Sequence, residues 1–574
     1  MSKNTDTTQL PQPRPASALD ERCDQYIHQY AKLNPLAALD WGIGQSEGKL
    51  PDYSPAGLAA EQALGAELLA YVREPRNREQ FDSIDRITAA ALEDRLGLDQ
   101  ELYEAGEFER TLNNIASPLQ EVRDGFDLLP KDTLADWSVI TDQSARVGAA
   151  LSGFRESLGV AAARGEVAAR RQVLIAIEQA RAAADLADPS SVFSQLRAEG
   201  IAAGAPTTDL ENATAEAASA YGQLADWLER ELLPLAPAAD GVGRERYERF
   251  SRLFVGATID LDETYEWGLD QLAQIDAEQR RIAREIFGTD LPAKEALNRL
   301  NADPKLTLHG REALREWMQA TADQAIKDLN GTEFDIPEPL QRIECMLAPS
   351  GNGGIYYTGP STDFSRPGRM WWSVPAGEDE FHVWQERTTV FHEGVPGHHL
   401  QIGLAMTGPS QPNLWRRLAC WNSGHGEGWA LYAENLMVEL GYQTELPDLM
   451  GVLDAQRLRA TRVVLDIGVH LGKERPDGNG NWDSAFAEEF LASNVAMTDG
   501  FRQFELDRYL GWPGQAPSYK VGQRLWEQLR VDYLSQHGTG LTAEAGRRQF
   551  HTAALGLGSL PMDTLRDALL GPAN

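Results

Sequence analysis

Three observations predict a mainly α protein with one small β element. Apolar residues recur at three- to four-residue spacing through most of the chain, which is the period of a helix that buries one face. Alanine-rich runs of high helical propensity, such as ALSGFRESLGVAAARGEVAARRQVLIAIEQARAAADLA, add to this in the first half. Only the stretch at about 346–375 changes character, with Gly, Pro, Ser and Asp turns around short aromatic or β-branched runs.

Taken in order, residues 1–17 are polar and proline-rich and read as a disordered tail. Helices begin at Ala18 with ALDERCDQYIHQYAKLNP. In SPAGLAAEQALGAELLAYVREP, Ser54 is placed as the cap and Pro55 as the first helical residue, where its missing N–H costs nothing. QFDSIDRITAAALEDRLGLDQELYEAG continues the pattern, and no fixed-period repeat is present. Pro and Gly cluster near 187–210 and 233–243. The second cluster is the expected boundary between an N-terminal helical region, 18–240, forming one wall of a cleft, and a catalytic region, 241–574, unless the two are one continuous domain. Helices resume at Arg244 with RERYERFSRLFVGATIDLDETYEWGLDQLAQIDAEQRRIAREIFG. Ile355-Tyr356-Tyr357 and Met370-Trp371-Trp372 then read as strands of a small antiparallel hairpin. Its edge either accepts an extended peptide as an added strand or only packs. Further helices follow in PDLMGVLDAQRLRATRVVLDIGVH, in SAFAEEFLASNVAMTDGFRQFELDRYL and, beyond Pro513-Gly514, in APSYKVGQRLWEQLRVDYLSQHG.

With 574 residues, 42% of them hydrophobic, the chain can bury a large core. A net charge of −33, from 86 acidic and 53 basic residues, repels nucleic acid and anionic membrane surfaces, so neither is an expected partner. No apolar run reaches the ~18 residues that span a bilayer. MSKNTDTTQLPQPRPASALDER shows no apolar leader segment. Cys23, Cys345 and Cys420 are odd in number, lack metal-ligand spacing and read as reduced thiols. Together these point to a cytoplasmic protein.

The chain is organised around Phe391-His392-Glu393-Gly394-Val395-Pro396-Gly397-His398-His399-Leu400-Gln401. A His-Glu pair with further histidines close by is the grammar of a zinc hydrolase. Its usual form, H-E-x-x-H on a helix, sets two imidazoles on one face beside a glutamate base. Here the fourth residue after His392 is Pro396, which cannot bind metal and breaks a helix. On a straight helix His398 would lie about 240° around from His392, and His399 about 10.5 Å further along nearly the same face. Neither suits a shared ion, so a kink or wide turn at Pro396-Gly397 has to return one of them beside His392.

This run resembles the His-Glu-x-x-Pro-Gly-His-His-x-Gln signature of the DUF885 family, matching it at His392, Glu393, Pro396, Gly397, His398, His399 and Gln401. Further matches are Glu427-Gly428-Trp429-Ala430 with Tyr432 and Glu434, Ser365-Arg366-Pro367-Gly368 in a tyrosine-rich segment containing Tyr357, and Pro513-Gly514-Gln515-Ala516 with Tyr519-Lys520. That family is grouped with zinc metallopeptidases such as carboxypeptidase Taq, thimet oligopeptidase and angiotensin-converting enzyme. The resemblance implies a large zincin-like helical fold with a deep central cleft, holding one zinc ion per chain. Aligned with the Gly-His of those relatives, His398 is the second metal ligand after His392, with His399 as the alternative. Glu427 is the implied third ligand, on a downstream helix, with Glu434 behind it and water in the fourth place. His425 is a reserve ligand.

Glu393 then serves as general base. His470, with Asp466 four residues before it, and Tyr519 are the expected donors to a tetrahedral oxyanion. Arg366, Arg508 or Lys520 would hold a peptide's terminal carboxylate, and Tyr357 is a further substrate-binding candidate. The expected activity is hydrolysis of short peptides by a carboxypeptidase, dipeptidyl carboxypeptidase or oligopeptidase. The alternatives are a metal-dependent hydrolase of another amide or ester, and a non-catalytic peptide-binding protein on the same fold.

Overall fold

A computed structural model describes residues 14–44, 47–348, 354–361, 363–375, 377–407 and 412–571. The disordered tail expected over 1–17 lies outside the described residues as far as residue 13. From Arg14 the chain is held in place. The Arg14 guanidinium pairs with Asp20 at 2.8 Å and Asp85 at 3.1 Å. Ser17 caps the Ala18–Leu33 helix through a capping box with Asp20. Ser54 and Pro55 occupy the cap and first position of Pro55–Arg73, as their types require.

The protein is mainly α. Two large hydrophobic cores organise it. One joins helices of the first hundred residues, through Leu19, Leu69, Leu92 and Leu96, to side chains between Tyr247 and Leu565. The other is built by Leu134–Ala163, Arg170–Ala184 and Thr207–Trp227, around Phe154, Ile177 and Tyr221. Arg171 ties this second core to the C-terminal region, reaching Asp507 at 3.0 Å and Asp240 at 3.3 Å.

The β structure has five short strands among the described residues: β1 (Thr307–His309), β2 (Ile343–Leu347), β3 (Ile355–Thr358), β4 (Gly368–Trp372) and β5 (Glu380–His382). β3 and β4 form the expected antiparallel hairpin, with Tyr357 opposite Met370. β2 lies parallel to β4 on its other side, so the sheet is mixed rather than purely antiparallel. Gln319 sets β2 in place from a neighbouring helix, donating to the Ile343 carbonyl at 2.9 Å and accepting from the Cys345 N–H at 3.0 Å. Among the described residues, β3 is an edge strand.

Five helices carry the site: Val383–Glu393, His398–Thr407, Ser423–Glu439, Leu446–Leu471 and Ser518–His537. Ser423–Glu439 and Ser518–His537 cross backbone to backbone. A Cβ on Gly428 would stand 2.5 Å from the Gly522 carbonyl carbon, and one on Gly522 would stand 2.2 Å from the Gly424 oxygen. Only glycine permits this approach, and it puts Glu427 at the centre of the crossing.

Candidate metal centre

The Pro-Gly insertion does more than kink the helix. The first helix ends at Glu393, residues 394–397 make a turn, and a new helix starts at His398. Gly397 lies so close to the preceding turn that a Cβ there would meet the His392 carbonyl oxygen at 1.8 Å. Its N–H bonds the Phe391 carbonyl at 3.0 Å. Trp429 holds the turn from outside, its indole N–H donating to the Pro396 carbonyl at 2.9 Å. Two separate sequence motifs thus meet in one hydrogen bond. The turn brings the His392 and His398 rings to 5.0 Å between centroids, at right angles.

Glu427 completes the group. Its Oε2 is 3.3 Å from His392 Nε2 and 3.8 Å from His398 Nε2. One ligand atom from each residue lies within 4.8 Å of the others. Ligands about 2.1 Å from a tetrahedral ion stand about 3.4 Å apart, so the donor types and spacing fit a zinc-sized cation.

Both imidazoles are held with Nε2 turned to this centre. His392 Nδ1–H donates to Glu434 Oε1 at 2.8 Å, and Thr388 Oγ donates to Glu434 Oε2 at 2.5 Å. His398 Nδ1–H donates to Gln401 Oε1 at 3.3 Å, while Gln401 Nε2–H donates to His425 Nδ1 at 3.0 Å. Supporting bonds of this kind fix ring orientation and raise ligand basicity. Burial opposes charge on His392, yet its hydrogen bonds to Glu427 and Glu434 raise its pKa to about 10. Burial likewise pushes Glu427 up, but the His392 hydrogen bond and the charges of His398, His392 and Arg459 bring it down to about 2. The centre favours positive charge. Glu393 sits beside it, buried, its pKa raised by that burial, and its carboxylate makes no hydrogen bond among the described residues.

Most of the other expected residues fall elsewhere. His399 faces away: its Nε2–H donates to the Leu340 carbonyl at 2.9 Å, and its Nδ1 accepts from Tyr357 Oη at 2.9 Å. It pins β3 to the His398–Thr407 helix, which also commits the Tyr357 hydroxyl. Burial lowers His399 to about 4. His425 stands behind Gln401 rather than at the centre. His470 is sealed in the core, bonded through Nε2 to the Tyr509 carbonyl at 2.9 Å and stacked on Tyr247. Asp466 lies 3.8 Å from it but accepts from Tyr247 Oη and the Gly514 N–H instead. Tyr519 is half-buried near the centre, its pKa pushed to about 12 by burial and then by the charge of Glu427.

All three expected carboxylate-binding cations have donors engaged. Arg366 braces its own loop through the Gly359 and Pro367 carbonyls. Arg508 bonds Glu505 at 2.9 Å and Gln515 at 2.6 Å. Lys520 bonds Gln456 and Gln523.

Sequence reasoning missed the supporting roles of Thr388 and Gln401. Their spacing held the signal, since Thr388 is four residues before His392 and Gln401 three after His398, each on its ligand's helical face. It also missed Arg459 and Trp421. Trp421 is 49% exposed, lies 6.3 Å from the His398 ring and would meet a Cβ on Gly426 at 2.3 Å. Neither residue stood out by spacing.

Fold and site together define a mainly α protein with a His-His-Glu group that could hold a metal ion. The family described as "Bacterial protein of unknown function (DUF885)" matches residues 35–569, and the chain belongs to it. Two of the solved structures that match share the fold along nearly the whole chain. One, described as "putative lipoprotein" from Colwellia psychrerythraea, is 20% identical, with a TM-score of 0.79 over 96% of this chain and 98% of that one. The other, a "putative lipoprotein of unknown function" from Shewanella oneidensis, is 17% identical, with a TM-score of 0.74 over 97% and 100%. A carboxypeptidase from Pyrococcus furiosus reaches a TM-score of only 0.38 at 10% identity, over 98% of this chain and 97% of that one, too slight to bear on function. No curated protein matches the chain.

These likenesses run against the cytoplasmic expectation, because two proteins that share the fold along its whole length are described as putative lipoproteins. The cysteines were a poor guide for a physical reason. All three are buried and unpaired, so they stay thiols in any compartment. No described helix is long and apolar enough to cross a membrane.

Proposed function

We propose that this protein is a zinc-dependent metallopeptidase that hydrolyses short peptides, with Glu393 as general base. The observation that carries the reading is the convergence of His392, His398 and Glu427 within 4.8 Å, beside a buried glutamate whose carboxylate makes no hydrogen bond among the described residues. A His/His/Glu donor set prefers zinc to manganese. Bound there, zinc would supply a Lewis acid that polarises a carbonyl and acidifies water.

The residues of the chain supply the rest. Glu434 and Gln401 hold the two imidazoles in the tautomer that turns Nε2 to the centre. Glu393 takes the proton from the attacking water and returns it to the leaving amine. Tyr519 stays protonated at neutral pH and donates to the developing oxyanion. The free edge of β3 pairs with the backbone of an extended peptide, and helices flanking the site keep folded proteins out.

The test is elemental analysis of wild type beside His398→Ala and His399→Ala, then peptide turnover by Glu393→Gln. We expect close to one zinc per chain, lost in His398→Ala and kept in His399→Ala. Glu393→Gln should keep zinc and lose turnover by about 10²- to 10⁴-fold. A wild type that takes up no zinc would overturn the metal assignment, and full turnover by Glu393→Gln would overturn the base.

A further inference from the structure

The Leu446–Leu471 helix carries Arg457, Arg459 and Arg462. Most are already committed. Arg457 bonds Gln279 at 2.8 Å and pairs with Asp276 at 2.5 Å. Arg462 bonds Tyr509 Oη at 2.7 Å and Glu505 at 2.8 Å, and it lies over the Tyr519 ring, 5.1 Å from its centroid.

Arg459 differs. Its one hydrogen bond among the described residues runs to the Ala455 carbonyl of its own helix, at 3.3 Å. Its Nε is buried and without a partner, and it makes no ion pair among the described residues. A partly buried guanidinium with no carboxylate is costly, since charges taken from water need a counter-ion.

Its place in the helix says what it faces. Arg459 is one turn from Gln456, which accepts from Lys520, and one turn from Arg462, which covers Tyr519. Lys520 and Tyr519 open the helix that crosses Ser423–Glu439, the helix that carries Glu427. Its charge is also felt at Glu427, Glu434 and Tyr519. In a chain of net charge −33, an anionic group near this acidic centre requires a local cation of this kind. Arg366, Arg508 and Lys520 have their donors engaged, which leaves Arg459.

We propose that Arg459 binds the free α-carboxylate of the peptide and so directs cleavage to the carboxy-terminal end of the substrate. A guanidinium suits this task because its planar fork gives a carboxylate two parallel N–H bonds. The inference rests on the peptidase reading and narrows it from peptidases in general to carboxy-terminal exopeptidases.

The test uses zinc-loaded wild type, Arg459→Gln and Arg459→Lys. The substrates are paired peptides of one sequence ending in a carboxylate or a carboxamide, each pair made with and without a glutamate near the end. The ratio of kcat/KM for acid over amide is the readout, and zinc content checks that each variant keeps its site. A charge-assisted bond predicts that wild type prefers the free acid by about 10- to 100-fold. Arg459→Gln should collapse that ratio towards one, and Arg459→Lys should restore part of it. Equal turnover of acid and amide by wild type, or an unchanged ratio in Arg459→Gln, overturns the proposal. So does a preference that follows the glutamate rather than the terminus, because the cation would then read an acidic side chain. Wild type that holds zinc and cleaves neither member overturns the peptidase reading itself, which is a separate result.

Discussion

At the residue scale, the centre depends on which nitrogen each imidazole offers. Glu434 sets this for His392, and it is buried with Thr388 as its second partner. Glu434→Gln keeps the size but removes the negative charge that strengthens the ligand. We expect zinc affinity to fall by about 10- to 100-fold, measured by competition with a chromogenic chelator, and an unchanged affinity would remove Glu434 from the support of His392. A second residue-scale prediction concerns His551, far from the metal ligands in sequence. It is buried, stacks on Phe334 and bonds Tyr432 Oη at 2.8 Å. Burial lowers its pKa to about 3, against roughly 6.5 in an unfolded chain. Between these values the unfolded state binds a proton that the native state does not. The stability contributed by neutral His551 is therefore complete above pH 6.5 and falls as pH drops towards 3. Relative to His551→Gln, wild type should lose on the order of 2 kcal/mol between pH 6.5 and 5, read from urea midpoints. Parallel pH profiles for the two proteins would contradict the assignment.

At the scale of elements, the geometry of the His-His-Glu group is set by two unusual contacts. One is the 394–397 turn, held by Trp429. The other is the glycine crossing of Ser423–Glu439 with Ser518–His537, which places Glu427. Gly428→Ala puts a methyl group 2.5 Å from a backbone carbon that cannot rotate away. Overpacking of this kind costs about 1–3 kcal/mol, and here it would also shift the neighbouring Glu427. Gly159→Ala is the fitting comparison, because its added Cβ would meet only Trp227 at an ordinary 4.0 Å. We expect Gly428→Ala to lower both the melting temperature and zinc affinity, and Gly159→Ala to lower neither. Equal behaviour of the two variants would mean that the crossing is not what positions Glu427.

At the scale of the whole molecule, His392, His398 and Glu427 come from three helices that all contribute to the larger core. An ion shared by them would bind the native state and not the unfolded chain. Zinc at a thousandfold excess over its dissociation constant would add about 4 kcal/mol. Removing it with chelator should lower the melting temperature by a few degrees, reversibly on adding zinc back. The same experiment on His398→Ala should show no response, and a chelator-insensitive wild type would argue against a bound ion.

Much of this protein was legible in the amino-acid order because helices are local objects. Periodic apolar residues, the Ser54-Pro55 start and the β3–β4 hairpin are encoded within a few residues of where they act. The metal motif was legible in the same way, as residue types at close spacing. What spacing could not say was which histidine returns beside His392. That depends on a broken helix, a glycine packed on the preceding turn and an indole from a helix thirty residues away. The tertiary structure alone showed that His399 fastens a strand, that His470 lies sealed in the core, and that Arg366, Arg508 and Lys520 are engaged while Arg459 is left without a carboxylate. Each of these turns on a partner distant in sequence, and the pairing of such groups is decided by how helices pack, not by their order along the chain.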